Sequence, residues 1–185
     1  LSKDFEIGST NVLGIDTDQL NSGIEKAKNL DEFYAIAIVH KGRLIVEEYI
    51  YGDRSSRYSV WSVTKSIISA LFGQLIDENI LDDEFVQIRS FYPFLTDSMK
   101  KTITVRDLLT MSSGIPDNTT YPRENNSINF ILGKKLLYDP GTYWNYTSAG
   151  THILSDILTK VTGQKAKAFA EQNLFSKLAI SSYVW

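Results

Sequence analysis

A serine followed three residues later by a lysine, at the mouth of a long apolar helix, is the feature that most constrains this chain. The stretch Tyr58-Ser59-Val60-Trp61-Ser62-Val63-Thr64-Lys65-Ser66-Ile67-Ile68 reads as a loop running into a helix that starts at Ser62. A helix turns once per 3.6 residues, so Ser62 and Lys65 share a face, with their side chains within reach of each other. A serine hydroxyl is a poor nucleophile at its own pKa and needs a neighbour that takes its proton. Lysine serves only when partly neutral. Two features favour the neutral amine at Lys65: its place in the first turn, where the helix dipole is positive, and an apolar setting expected from Val63, Ile67 and Ile68.

Spacing alone is a weak signal. With 19 serines and 13 lysines in 185 residues, about 1.3 matches to S-x-x-K arise by chance, and the chain has two. The second, Ser98-Met99-Lys100-Lys101, lies in a polar stretch with no apolar run behind it and reads as a solvated loop. Only Ser62 follows an aromatic loop and opens a long apolar helix. On spacing alone, an ordinary helix start with serine as N-cap explains Ser62 equally well.

Composition narrows the classes. The length suits one domain, or one and a part, with 43% hydrophobic residues for a core. The net charge is −3 and the basic residues are scattered, so nothing suggests nucleic acid. No run reaches the length of a membrane-spanning helix, and no apolar signal segment opens the chain. The first residue is Leu1 and not Met, so the missing signal says nothing about export. Zero cysteines exclude disulfides and thiolate metal sites, and two histidines are too few for a histidine-rich one.

In chain order, residues 1 to 15 read as an irregular lead-in. Asp16-Thr17-Asp18 caps a helix over about 17 to 29. Phe33 to His40 reads as a buried strand, and Lys41-Gly42 turns it into Arg43 to Tyr51, an antiparallel hairpin. The helix from Ser62 should run to about Asn79, with Ile67, Leu71, Leu75 and Ile76 facing a core. A helical region follows: a short helix near Val86 to Phe91, another opening at Thr104-Val105-Arg106-Asp107 with a capping-box start, and one over Ile128 to Leu137. Asp117 to Asn126 is the least structured stretch. After the Pro140-Gly141 turn, Thr142 to Gly150 leads into a helix over Thr151 to Val161, stopped at Gly163, and a last helix covers about 165 to 175. His152 lies on the first of these two. A Ser-His-Asp triad on it has no G-x-S-x-G elbow to serve, and His40 reads as exposed. Asp82-Asp83-Glu84 lacks the spaced ligands and glycine of a calcium loop.

Four segments in this order resemble the serine β-lactamase-like hydrolases, in particular the branch of class C β-lactamases, D-alanyl-D-alanine carboxypeptidases, esterases and 6-aminohexanoate-oligomer hydrolases. They are Trp61 to Ser66, Ile103 to Ile115, Pro140-Gly141 through Gly150, and Val161-Thr162-Gly163, so the match covers the chain from about residue 16. The resemblance implies an α+β fold of the β-lactamase/transpeptidase type: an antiparallel sheet flanked by helices plus an all-helical region. Residues 1–79 would begin the α/β domain, 80–175 would form the helical domain, and 176–185 would return toward the rest of the α/β domain. The family's second motif is a tyrosine with asparagine two residues on. Tyr143-Trp144-Asn145 fits its letters; Tyr146-Thr147-Ser148 fits its distance from Pro140-Gly141 and from the following helix, and is the register chosen. Ser148 then stands where asparagine is more common, and loses the reach of an amide.

The resemblance implies that Ser62 attacks a carbonyl, that Lys65 takes its proton, and that Tyr146 passes it to the leaving group and helps activate the deacylating water. The backbone N–H of Ser62 would give half of the oxyanion hole. Ser148, Trp61, Tyr143 and Trp144 would contact a small-molecule or short-peptide substrate. No metal or organic cofactor is needed. The relatives implied favour an extracytoplasmic location. The family's third motif, on a strand beyond the helical region, does not occur, and the hairpin would have both edges exposed. The expectation is therefore an N-terminal part of a longer protein, or a partner for a separate C-terminal polypeptide that completes the sheet. The alternative function is a penicillin-sensor-like or inactive binding protein of the same fold.

Overall fold

A computed structural model describes residues 5–117 and 126–185. The chain divides into two compact units, Leu1–Ser59 and Val60–Trp185.

In the first unit, Asp16 accepts the Gln19 N–H and caps α1, Thr17–Lys28. Strands β2, Ala35–His40, and β3, Arg43–Tyr49, form the expected hairpin. Lys41 and Gly42 both take positive φ, the left-handed pair that matches a tight turn to the twist of the strands. The register shifts between Ile38 and Val39, so Ile45 is the extra residue of a bulge. Two expectations change here. A two-residue strand, β1, Glu6–Ile7, pairs in parallel with Arg43 and Leu44, so the lead-in is not wholly irregular and one hairpin edge is partly covered. Nor is β2 buried: none of its residues is fully enclosed, and only Leu44 and Val46 of the hairpin are. His40 is half-buried.

The second unit holds the main core. Its longest elements are α2, Val63–Asp77, and α5, Ser148–Thr162. From α2, Ile68, Leu71, Phe72 and Leu75 are buried, at the three- and four-residue spacing of one helix face; Ile67 and Ile76 pack at its margin. From α5, Ala149, Ile153, Leu154, Ile157 and Leu158 meet them. Helix α3, Val105–Leu109, opens on a complete capping box: Thr104 accepts the Asp107 N–H at 3.1 Å and Asp107 accepts the Thr104 N–H at 2.8 Å. Helix α4, Ser127–Gly133, is shorter than the sequence pattern implies, and Asn126 caps it. The Val86 to Phe91 segment makes only a 3-10 turn, Ile88–Ser90. Gly163, in the left-handed conformation, ends α5, and α6, Ala166–Ala170, runs on as one π turn through Phe175. Of the stretch expected to be least structured, residues 118–125 lie outside the described residues.

The second S-x-x-K match is not simply solvated. Lys100 is buried, 7% exposed, in a 3-10 turn and pairs with Asp97 at 3.7 Å. Glu84 pairs with Arg106 at 3.3 Å, and among the described residues no group of acids and histidines is placed to hold a metal.

Candidate active site

Ser62 stands immediately before α2 with helical backbone angles, and its side chain caps nothing. Instead its Oγ accepts a hydrogen bond from Lys65 Nζ at 3.0 Å and lies 2.6 Å from the hydroxyl of Tyr146. The Lys65 amine also sits 5.0 Å from the centre of the Tyr146 ring. The first turn is closed by Val63, Thr64 and Lys65 donating to the carbonyls of Val60, Trp61 and Ser62. That leaves the Ser62 N–H at the open end of the helix, next to its own hydroxyl. Trp61, just before it, holds φ at +43°, a conformation that costs a non-glycine residue about 1–3 kcal/mol. This turn throws the indole outward, 83% exposed.

The phenol of Tyr146 is held below its ordinary value, first by hydrogen bonding with Lys65 and then by the Ser62 hydroxyl; desolvation and the Asp117 carboxylate push the other way. Tyr146 is 43% exposed, so the pair faces solvent. Lys65 is half-buried, but Val63 is exposed, so the apolar setting expected around the amine comes from one side only.

Tyr143, the alternative tyrosine, packs against Tyr138 with ring centres 4.5 Å apart. Trp144 is 64% exposed. Ser148, the first residue of α5, lines a cavity of about 210 Å³ with Thr64, Lys65, Thr151, His152 and Trp185. His152 contacts the Ser127 hydroxyl at 2.8 Å, and burial pushes its imidazole down.

Sequence reasoning missed what holds Tyr146 in place. Asn145 donates its N–H to the Met111 carbonyl at 2.8 Å, Thr147 donates to Met111 Sδ at 3.4 Å, and Ser148 donates to Asp117 Oδ1 at 2.9 Å. Farther back, Gly141 donates to Ser112 O and Leu137 to Gly114 O. The turn after α3 therefore cradles the whole approach to α5. The strongest local signal for it was Gly114, whose positive φ and contact with the Tyr138 carbonyl exclude a side chain.

A serine and a lysine at the start of one helix thus meet a tyrosine that stands just before a second. The chain belongs to the beta-lactamase family, whose model matches residues 31–184. Among solved structures it is similar to the octameric penicillin-binding protein homologue of Pyrococcus abyssi, with a TM-score of 0.76 and 20% identity over 92% of this chain and 45% of that one. A Bacillus anthracis protein provisionally named a 6-aminohexanoate-dimer hydrolase gives 0.66 and 21% identity over 84% of this chain and 46% of its own. Among sequences, a protein of Escherichia coli strain K12 provisionally named a D-alanyl-D-alanine carboxypeptidase is 24% identical over 164 residues, 79% of this chain and 38% of the relative. These likenesses establish an α+β, β-lactamase/transpeptidase-like fold. The chain spans under half the length of the curated relatives it matches. Among the described residues no helix is long and apolar enough to cross a membrane.

Proposed function

We propose that this chain carries the nucleophile of a serine hydrolase that works through an acyl-enzyme on an ester, amide or β-lactam carbonyl. The observation that carries the reading is the position of the Ser62 Oγ, 3.0 Å from Lys65 Nζ and 2.6 Å from Tyr146 Oη, with no capping bond to occupy it. The Ser62 oxygen attacks the carbonyl carbon while its proton passes to the Lys65–Tyr146 pair. The developing oxyanion turns to the Ser62 N–H. Tyr146 hands the proton to the departing oxygen or nitrogen, and the acyl group stays on Ser62 until water, activated by the same pair, releases it. The substrate is a small molecule or short peptide. Trp61, Tyr143 and Trp144, all exposed, would contact its apolar parts. A C-terminal polypeptide, continuous or separate, would complete the sheet and the oxyanion hole.

A second reading, a binding protein that is acylated without turnover, draws on Ser148, whose short hydroxyl offers a substrate amide less than an asparagine would. One experiment separates the two. Intact-mass spectrometry after incubation with a fluorescent penicillin and, separately, a p-nitrophenyl ester should give one adduct per chain, absent from Ser62→Ala. Continuous p-nitrophenol release marks a hydrolase; an adduct stable for hours marks the second reading. An adduct retained in Ser62→Ala removes Ser62 as the nucleophile, and no adduct with either reagent means that these residues alone do not assemble the site.

A further inference from the structure

We infer that Asp117 is a positioning residue for Tyr146: it clamps the start of α5 through the Ser148 N–H and sets a negative charge against the proton-transfer pair. This rests on the acyl-enzyme reading and adds to it a residue outside the Ser62–Lys65–Tyr146 set. The geometry has three parts. Asp117 Oδ1 accepts the Ser148 N–H at 2.9 Å, two residues beyond Tyr146. Thr147 Oγ1 accepts the Ala149 N–H at 3.2 Å, so the first two donors of α5 are held from two different directions. On the other side of Tyr146, Met111 takes the N–H groups of Asn145 and Thr147 through its carbonyl and its sulfur, while itself held at φ +61°. Tyr146 therefore hangs between two anchors, Met111 and Asp117, that belong to a single seven-residue turn. An anchor on each side fixes the phenol oxygen against Ser62, and a loosening of about 1 Å at a proton-transfer site costs up to about a hundredfold in rate.

The charge adds a second effect. The groups that act on the Tyr146 phenol are the Lys65 amine from α2 and the Ser62 hydroxyl, which lower it, and more weakly the Asp117 carboxylate from the turn, which raises it; His152, one helical turn along α5, is pushed toward its neutral form by burial. Lysine favours the phenolate and Asp117 opposes it. Loss of a proton from the Lys65–Tyr146 pair belongs to the pair and not to either member. A nearby carboxylate makes that loss harder whichever group gives up the proton. Removing the carboxylate charge must then move the acid limb of the pair to lower pH, whereas removing the hydrogen-bond acceptor must loosen the phenol.

Asparagine and alanine at position 117 separate the two. Asp117→Asn keeps an oxygen for the Ser148 N–H and loses the charge. Its acylation rate by p-nitrophenyl acetate, read by mass against pH, should keep the wild-type plateau with the acid limb displaced to lower pH. Asp117→Ala loses both, and its plateau should fall about tenfold or more. Superimposed limbs for wild type and Asp117→Asn, or a wild-type plateau in Asp117→Ala, overturn the inference. The phenolate absorbance that disappears in Tyr146→Phe gives a readout independent of acylation. Its transition should lie at lower pH in Asp117→Asn than in wild type, and an unchanged transition overturns the inference. A wild-type chain that takes no acyl group defeats the acyl-enzyme reading for these residues alone, and the absorbance titration still decides the role of Asp117.

Discussion

Lys65 touches both partners of the candidate site, donating to Ser62 and lying over the Tyr146 ring, so one substitution there bears on both hydroxyl groups. Hydrogen bonding with Lys65 is the largest cause of the lowered Tyr146 phenol. Lys65→Gln keeps a polar side chain of similar length but removes the positive charge. The sign follows from the phenolate being the charged form: without the cation it loses its main support, and its titration moves to higher pH. The phenolate absorbance assigned by Tyr146→Phe should therefore appear at higher pH in Lys65→Gln than in the parent. Acylation of Ser62 should fall about a thousandfold, the scale of a positioned general base. An unmoved phenolate transition would mean that the contact between Lys65 and Tyr146 carries no charge coupling.

At the scale of elements, the turn joining α3 to the approach of α5 matters most. Gly114 holds φ at +73°, and a Cβ there would meet the Tyr138 carbonyl. Its own carbonyl accepts the Leu137 N–H at 2.8 Å. Gly114→Ala combines backbone strain with a clash against an unyielding atom, at a cost of about 2 kcal/mol or more. For a chain of this length that lowers Tm by about 4–8 °C. Because the displaced segment leads to Tyr146, Ser62 acylation should also slow. A variant with unchanged Tm would show that the turn relaxes without strain. The sequence made α1, the hairpin, α2 and α5 readable because each pairs a cap or turn signal with an apolar period, and it placed Ser62 and Lys65 on one face because three-residue spacing is a local property. The Tyr146 contact with Ser62, 84 positions away, was reachable only through the family resemblance. Met111 and Asp117 were not readable at all, since a backbone carbonyl and a thioether carry no pattern, and Asp117 sits at the edge of a polar, aperiodic stretch. The two-residue β1 is too short for any period to reveal.

The distribution of buried side chains sets how the molecule opens. In Leu1–Ser59 the fully buried apolar side chains among the described residues are Ile24, Leu44 and Val46. The continuous core, from Ile68 to Phe175, lies wholly within Val60–Trp185. A three-stranded sheet with one two-residue strand and so few enclosed side chains has little to offset its chain entropy. Local opening follows such differences in enclosed apolar contact, so the two units should exchange amide hydrogens on different scales. In hydrogen-exchange mass spectrometry of this chain, peptides from β2 and β3 should exchange about a hundredfold faster or more than peptides covering Leu71 to Leu75 and Ile153 to Leu158. Ser62, Lys65 and Tyr146 all fall in the better-enclosed unit, on the first residues of α2 or just before α5, where the helix ends are open but the helices behind them are not. The site should accordingly keep its geometry through openings of the sheet, and acylation of Ser62 should survive denaturant concentrations that already free the β2 and β3 amides. Equal protection in both units would show that the sheet draws stability from something other than its own enclosed side chains, and acylation lost in step with the sheet amides would show that the helical unit does not hold the site alone.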